Sequence, residues 1–132
     1  MRGLKMSTGK FIIKKASNES YMFNLIAANN EIIATSEMYT TLDKCKKGIA
    51  SVQANAPSAD TVDLTVSNID SKITNPKFEI FLDKADEYRF RLKAKNGEII
   101  IQSQGYSAKS SCKNGIESVR KNAATEIIEI EN

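Results

Sequence analysis

The chain contains one stretch of sequence twice. When the sequence is shifted by 67 residues against itself, residues 10–56 align with residues 77–123 without a gap, and 21 of the 47 aligned positions are identical. Self-similarity of this length means that one structural unit is used twice. Each copy is near the size at which an isolated hydrophobic core becomes marginal. We therefore expect the two units to share one core.

Each copy begins with the alternation of apolar and polar residues that is typical of half-buried strands. In the second copy Phe78, Ile80 and Leu82 form one such apolar series. A second series, Tyr88, Phe90 and Leu92, alternates with cations. Asn96 and Gly97 follow this second strand and predict a tight two-residue hairpin with positive φ at both positions, and Asn29 and Asn30 predict the same hairpin in the first copy.

The period of the apolar residues then changes to that of a helix face. The apolar positions are Leu42, Cys45, Ile49, Val52 and Ala56 in the first copy and Ala108, Cys112, Ile116, Val119 and Ala123 in the second. Thr40 and Ser107 are the predicted N-caps. Gly48 and Gly115 lie inside these helices, which predicts close packing against the sheet, with a ligand approaching the backbone as the alternative.

A last strand follows each helix, at residues 60–66 and in the segment EIIEI at residues 126–130. With one deletion in the preceding loop, Val62 aligns with Ile128 and Leu64 with Ile130. Each repeat is thus β-β-β-α-β, and the fold class is α+β, with both helices on one face of a largely antiparallel sheet. We predict a flexible leader at residues 1–9, repeat 1 at 10–67, a linker at 68–76 and repeat 2 at 77–132, all in one compact domain.

Composition excludes several classes of function. The net charge of +3 comes from 19 basic and 16 acidic residues, which is too balanced to indicate nucleic-acid or membrane binding by charge alone. Neither a signal peptide nor a membrane-spanning segment is visible, so we expect a cytoplasmic protein, with Met1 or Met6 as the natural start.

Catalytic chemistry finds little support in the residue types. The chain has no histidine, which removes the commonest general base and the Ser-His and Cys-His nucleophile pairs. No phosphate-binding loop, dinucleotide fingerprint or metal-ligand cluster is present, so we predict no catalytic residue, cofactor or metal site and do not expect an enzyme. Cys45 and Cys112 occupy equivalent positions between apolar neighbours and are expected to be buried, reduced thiols.

The second copy resembles the YegP-like family, small bacterial proteins of unknown function whose domain occurs singly or in tandem. The resemblance covers both repeats, and its most specific parts are the NGEI turn at Asn96 to Ile99 and the NGI segment at Asn114 to Ile116. It implies that two β-β-β-α-β units build a single sheet and exchange their final strands. It carries no functional residues with it. We expect a monomer, because the duplication replaces a dimer.

Three functional hypotheses remain from the sequence. The first is a protein-docking surface on the exposed sheet face, formed by outward positions of the second strand of each repeat: Met22, Asn24, Ile26, Arg89, Arg91 and Lys93. The second is weak RNA or DNA binding through the cationic stripe of Arg89, Arg91 and Lys93, unless Glu79 and Asp83 balance that charge. The third and least favoured is a small-molecule site or active site at the seam between the repeats, which requires a concave pocket there.

Overall fold

The computed structural model describes residues 9–131 and contains eight strands and two helices. In chain order these are β1 (Lys10–Lys15), β2 (Tyr21–Ile26), β3 (Ile32–Ser36), α1 (Leu42–Asn55), β4 (Asp60–Asp63), β5 (Lys77–Leu82), β6 (Tyr88–Lys93), β7 (Ile99–Gln102), α2 (Lys109–Asn122) and β8 (Ile128–Glu131). Each repeat is therefore β-β-β-α-β, as predicted.

All eight strands form one open sheet in the order β4-β5-β6-β7-β3-β2-β1-β8. The hairpin neighbours pair antiparallel, and β3 pairs antiparallel with β7 where the repeats meet. The last strand of each repeat lies at the far edge of the other repeat: β4 pairs with β5 and β8 pairs with β1, both in parallel. The predicted exchange of final strands is confirmed, and it places both exchanged strands at the edges of the sheet.

One hydrophobic core lies between the sheet and the two helices. Its largest members are Phe11 and Phe23 of repeat 1 and Phe78 and Phe90 of repeat 2, none of which is exposed to solvent. Apart from Ala108, the predicted apolar positions of the helices pack into or against the same core, so both helices cover the same face of the sheet. No helix within residues 9–131 covers the opposite face, which we call the outer face.

The predicted N-caps are wrong by one residue. Thr41, with extended backbone, is the N-cap of α1, and its hydroxyl accepts a 3.1 Å hydrogen bond from the Lys44 N–H. The equivalent residue in α2 is Ala108, which has no side-chain oxygen and makes no such bond. Ala108 was predicted to be the first core residue of this helix, but it is exposed. Polar spacing alone does not distinguish adjacent hydroxyl residues as caps.

The hairpin prediction is right in position and wrong in geometry. Ala94 N–H donates to the Glu98 carbonyl over 2.9 Å, which leaves three residues in the loop, and only Gly97 among them has positive φ. In repeat 1 the Ala27 N–H bonds to the Glu31 carbonyl in the same way, with Asn30 at φ 72°. A three-residue loop of this type needs one left-handed residue at its end, so a single Gly or Asn is sufficient.

The final strands are shorter than predicted, and their register differs from the predicted alignment. β4 ends at Asp63, whose carboxylate accepts a hydrogen bond from the Thr65 N–H and turns the chain. Thr61 lies beside Phe78 as Ile128 lies beside Phe11, so the shift of 67 residues continues without a deletion and the pairing of Val62 with Ile128 is wrong. A slip of one residue exchanges the two faces of a strand. The apolar residues of β4 and β8 consequently point to opposite faces.

The predicted leader at residues 1–9 lies outside the described residues except for Gly9, and so does the choice between Met1 and Met6 as the start. Gly9 is buried, and its N–H donates to Asn122 Oδ1 over 2.9 Å. Within residues 9–131, no helix has the length and apolar character needed to cross a bilayer.

Candidate functional site

The six predicted site residues do not lie together on the outer face. Arg89, Arg91 and Lys93 belong to β6, whereas Met22, Asn24 and Ile26 belong to β2. Strands β7 and β3 lie between them in the sheet, so the two groups are three strand spacings, about 14 Å, apart. They are two separate surfaces rather than one.

The β2 group offers little surface. Asn24 is only 5% exposed and its Oδ1 accepts a 2.8 Å hydrogen bond from the Thr35 hydroxyl, while Ile26 is 8% exposed. Ile26 lies between Lys10 of β1 and Ile32 of β3, its cross-strand partners. The prediction that these residues form an exposed surface is wrong for Asn24 and Ile26. Met22 remains half-buried.

The β6 cations are held by two carboxylates, Glu79 of the neighbouring strand β5 and Asp83 of the turn that follows it. Arg89 Nε donates to Asp83 Oδ2 over 2.6 Å, and its Nη1 donates to the Ser103 carbonyl over 3.1 Å. The hydrogen bond from Arg89 is the largest influence on Asp83 and holds the pKa of that carboxyl below its usual value. Arg89 is thus fixed in one orientation on the sheet.

Glu79 is the second organising carboxylate and is only 5% exposed. It accepts a 2.8 Å hydrogen bond from Arg91 Nε, and Lys93 Nζ and Lys77 Nζ lie 3.3 and 3.6 Å from its oxygens. Burial by itself would raise the pKa of Glu79, but the bonds and charges of Arg91 and Lys93 outweigh burial and lower it. The carboxylate stays ionised and neutralises one of the three cations around it.

Arg91 also stacks on an aromatic ring of the outer face. Its guanidinium carbon lies 4.5 Å from the centre of the Phe81 ring, and Phe81 is half-buried. Arg91 is therefore held on one side by Glu79 and on the other by Phe81. We call Phe81, Arg91, Lys93 and Glu79 the arginine-phenylalanine patch.

Two clefts lie at the seam between the repeats, where the third hypothesis required a concave pocket. Strands β3 and β7 pair only at Thr35 with Gln102 and Ser36 with Ile101. Beyond these pairs the chain turns away on both sides, because Tyr39 pairs with Tyr21 in repeat 1 and Tyr106 pairs with Tyr88 in repeat 2. This divergence opens one cleft of about 790 Å³ and another of about 580 Å³.

The two clefts are built from equivalent residues. Every residue that lines the smaller cleft is the repeat equivalent of one that lines the larger cleft. Each has a tyrosine and a helix glycine from one repeat, and a glutamate and two isoleucines from the hairpin of the other. The larger cleft has Tyr39, Gly48, Glu98, Ile99 and Ile100, and the smaller has Tyr106, Gly115, Glu31, Ile32 and Ile33.

The tyrosines stay protonated. Burial, followed by the charges of Cys45, Glu37 and Glu98, raises the pKa of Tyr39 to about 12. Burial is also the main cause that raises the pKa of Tyr106. A phenol in this state donates or accepts a hydrogen bond but does not serve as a base at neutral pH.

The clefts differ in charge. Lys44, Lys47 and Glu37 of the larger cleft are replaced by Ser111, Asn114 and Gln104 in the smaller. The identical glutamates on two exposed hairpins were the signal in the sequence that could have identified these sites.

The two cysteines do not belong to any of these surfaces. Cys45 and Cys112 are free thiols with no exposure to solvent, which confirms the prediction that both are buried. Burial raises the pKa of each thiol to about 11. Within residues 9–131, no three side chains of the ligating types are grouped so as to hold a metal ion.

Comparison with known proteins gives one consistent family. A domain of unknown function, DUF1508, matches twice, at residues 16–63 and 83–129. The UPF0339 protein YegP of Yersinia pestis is 40% identical over 123 residues, which cover 93% of this chain and 96% of that protein. A UPF0339 protein of Pasteurella multocida is 42% identical over 123 residues, covering 93% of this chain and 94% of its own.

Two solution NMR structures share the fold. The structure of yegP from E. coli, described as a protein of unknown function, matches with a TM-score of 0.79 and 31% identity over 97% of both chains. A UPF0339 protein of Shewanella oneidensis matches with a TM-score of 0.76 and 36% identity, over 95% of this chain and 92% of that one.

Proposed function

The chain belongs to the family defined by DUF1508, a domain of unknown function, and we propose that it is a non-enzymatic binding module that docks a protein partner. The docking surface is the outer face of the sheet in repeat 2. Its centre is the arginine-phenylalanine patch.

The main support for this proposal is the contact between the Arg91 guanidinium and the Phe81 ring. Aromatic and arginine side chains are enriched among the residues that dominate binding energy at protein interfaces. Here the two are already in contact, at 4.5 Å, and Glu79 holds the Nε of the arginine. A side chain that is ordered before binding loses less conformational entropy on binding.

The charge of the patch defines the partner. Lys77, Arg91 and Lys93 surround the single carboxylate of Glu79, so the patch keeps an excess of positive charge. Among the described residues the terminal nitrogens of Arg91 have no hydrogen-bond acceptor, since only its Nε is engaged. They are free to donate to a carboxylate. The expected partner therefore presents an acidic side chain beside an apolar one.

Site-specific crosslinking tests the proposal. A photo-crosslinking amino acid is placed at position 81, and the control carries it at position 35, on the same face in β3 and three strands away from both β5 and β8. We expect a protein adduct from position 81 that position 35 does not give. With the purified partner, Phe81→Ala and Arg91→Ala should each weaken binding at least about tenfold, with Thr35→Ala unchanged. Equal adducts at both positions, or unchanged affinity in Phe81→Ala, would contradict the proposal.

Nucleic-acid binding through Arg89, Arg91 and Lys93 is the alternative use of the same surface. It is less favoured, because Asp83 and Glu79 engage the Nε atoms of both arginines and only Phe81 offers a ring for base stacking. A nuclease-sensitive adduct at position 81 would favour this alternative. So would RNA binding that weakens steeply with salt and is lost in the Arg89→Glu, Arg91→Glu variant.

The seam clefts support a second candidate function, the binding of a small ligand. The presence of two equivalent concave sites satisfies the condition that the seam hypothesis required. The features common to both are a protonated tyrosine, a glutamate and an apolar wall, which fit a ligand with an apolar body and a hydrogen-bond donor.

An NMR fragment screen tests the clefts. A fragment that binds should shift the signals of both Tyr39 and Tyr106. Glu98→Gln should weaken fragment binding only in the larger cleft, and Glu31→Gln only in the smaller cleft. A screen at millimolar concentration that shifts neither tyrosine would exclude this function.

A further inference from the structure

The two free edges of the sheet are equivalent by the repeat but are protected differently. At the β4 edge, Lys109 Nζ lies 2.7 Å from Asp63 Oδ2. Arg120 Nη2 donates to the Ala59 carbonyl over 2.7 Å and to the Thr61 hydroxyl over 3.0 Å. Two cations of helix α2 therefore bind to this edge strand. Charged groups at an edge strand are one way in which proteins prevent it from pairing with another chain.

The β8 edge lacks this protection. In β8 the positions of Thr61 and Asp63 are taken by Ile128 and Ile130, which are 41% and 50% exposed. In α1 the positions of Lys109 and Arg120 are taken by Leu42 and Gln53. Gln53 donates to the Thr125 carbonyl, before the strand begins. The apolar side chains of this edge are therefore open to solvent.

The backbone of β8 is also open at these two residues. The Phe11 N–H donates to the Ile127 carbonyl, and this bond shows which residues of β8 direct their peptide groups toward β1. In such a ladder alternate residues of a strand bond to the same neighbour. The peptide groups of Glu129 and Glu131 therefore face β1, and those of Ile128 and Ile130 point away from the sheet.

The outer side of the same edge is acidic. Glu129 and Glu131 lie 3.2 and 3.4 Å from Lys10 and Lys14 of β1, and both carboxylates remain more than half exposed. Strand β1 shows which side chains are compatible with a strand paired to β8. It places lysines beside the glutamates on one face, and Phe11 and Ile13 beside the isoleucines on the other.

We propose that β8 is a docking edge that accepts an extended segment of a partner protein as a ninth strand, with basic and apolar residues in alternation. Its basic side chains lie beside Glu129 and Glu131, and its apolar side chains lie beside Ile128 and Ile130. Main-chain hydrogen bonds supply affinity in this mode of recognition, and alternate side chains supply specificity.

A second copy of the chain does not fit this edge. With matching faces, two β8 strands would bring four glutamates together, and the β4 edge of another copy would bring Asp60 to the same face. Like charges at close range oppose such pairing. The partner is therefore a different chain. This site is separate from the arginine-phenylalanine patch, which lies on β5 and β6.

The probe for this site is a blocked six-residue peptide that alternates lysine and valine, and the control peptide alternates glutamate and valine. Each is titrated into the isotope-labelled protein while backbone amide signals are followed by NMR. We expect the lysine peptide to shift and protect the amides of Ile128 and Ile130, and the glutamate peptide to leave them unchanged. If the lysine peptide does not move these amides at millimolar concentration, the proposal is wrong.

Variants separate charge from backbone pairing. The double change Glu129→Gln, Glu131→Gln should weaken the lysine peptide about tenfold. Asp60→Asn, the matched change at the opposite edge, should have no effect. Ile130→Pro removes an outward-facing N–H and no N–H that bonds to β1, and should abolish binding in a protein whose remaining NMR spectrum is intact. Unchanged affinity in either β8 variant, or lost affinity in Phe81→Ala, would overturn the edge site, and the last result would place the peptide on the patch instead.

Discussion

The hydroxyl of Tyr39 lies against Gly48, so close that a Cβ on residue 48 would overlap it. The same relationship recurs in repeat 2, where a Cβ on residue 115 would come within 2.7 Å of Tyr106 Oη and 2.8 Å of Phe90 Cε2. Each helix can approach the sheet only because it has no side chain at this point. The prediction that both glycines serve close packing is confirmed.

Gly48→Ala should therefore destabilise the protein, although alanine is the better helix former by about 1 kcal/mol. Overpacking of a filled site costs about 1–3 kcal/mol, and we expect a net loss in this range from urea denaturation. Tyr39→Phe removes the overlapping oxygen and should restore part of the loss in the double variant. A Gly48→Ala protein as stable as the parent would contradict the packing.

Asn122→Ala should cost more stability than Asn55→Ala, its equivalent in repeat 1. Both amides donate to the helix carbonyl four residues before, at Ser118 and Ser51. Only Asn122 also accepts a hydrogen bond, from the buried N–H of Gly9. The repeat equivalent of Gly9 is Pro76, which has no N–H. The difference in unfolding free energy should be about 1 kcal/mol. Equal losses would show that the Gly9 contact contributes nothing.

Glu79→Gln should lower the free energy of unfolding by about 1–2 kcal/mol at neutral pH, because it removes a charge-assisted hydrogen bond at a buried position. The exposed pair of Lys14 with Glu131 provides the control, and Glu131→Gln should change stability by less than about 0.5 kcal/mol. Chemical denaturation of the two variants measures both values. A larger effect at Glu131 than at Glu79 would be inconsistent with this interpretation.

Acid should destabilise the fold through protonation of Glu79 and Asp83. Glu79 and Asp83 have folded-state pKa values below their ordinary values of 4.5 and 3.8. Their contribution to stability is therefore fully present above those values and is lost as the pH falls through the lower folded-state values. Denaturation midpoints measured from pH 6 down to about pH 2 should fall, and Glu79→Gln should reduce the slope. A slope that Glu79→Gln leaves unchanged would assign the acid sensitivity to other groups.

Cys45 and Cys112 should resist alkylation in the native protein. A thiol with a pKa of about 11 is almost entirely protonated at pH 8, and the thiolate is the reactive form. Labelling followed by mass spectrometry should show modification only after denaturant is added. Rapid labelling of either cysteine in the folded state would contradict this burial.

The sequence predicted those parts of the fold in which a residue's environment follows from its own strand or helix. The alternation around Phe78 and Phe90 predicted the core face correctly, and the helical spacing of Cys45 and Ile49 predicted the buried side of α1. The cap at Thr41 and the single positive φ at Gly97 depend on local hydrogen bonds that several neighbouring residues could have made.

The candidate sites depend on neighbours that no repeat contains by itself. Whether Arg91 is free or held in place is decided by side chains on the adjacent strand, above all Glu79 of β5. The seam clefts form only where β3 meets β7, and the open edge at Ile128 depends on a register that the predicted deletion had misplaced by one residue. The spacing of residues along one strand does not predict which side chains of other strands will lie beside them.

Because each final strand pairs with the other repeat, we expect the two repeats to stay together without the covalent connection between them. Residues 64–76 contain no strand of the sheet. Strand β4 ends repeat 1 but pairs with β5 of repeat 2, and β8 ends repeat 2 but pairs with β1 of repeat 1. We expect that two separately expressed fragments, cut within this connection, would recognise each other and assemble into a working heterodimer. The fold is thus a ready-made pair of complementing halves, which could report the proximity of two proteins fused to them.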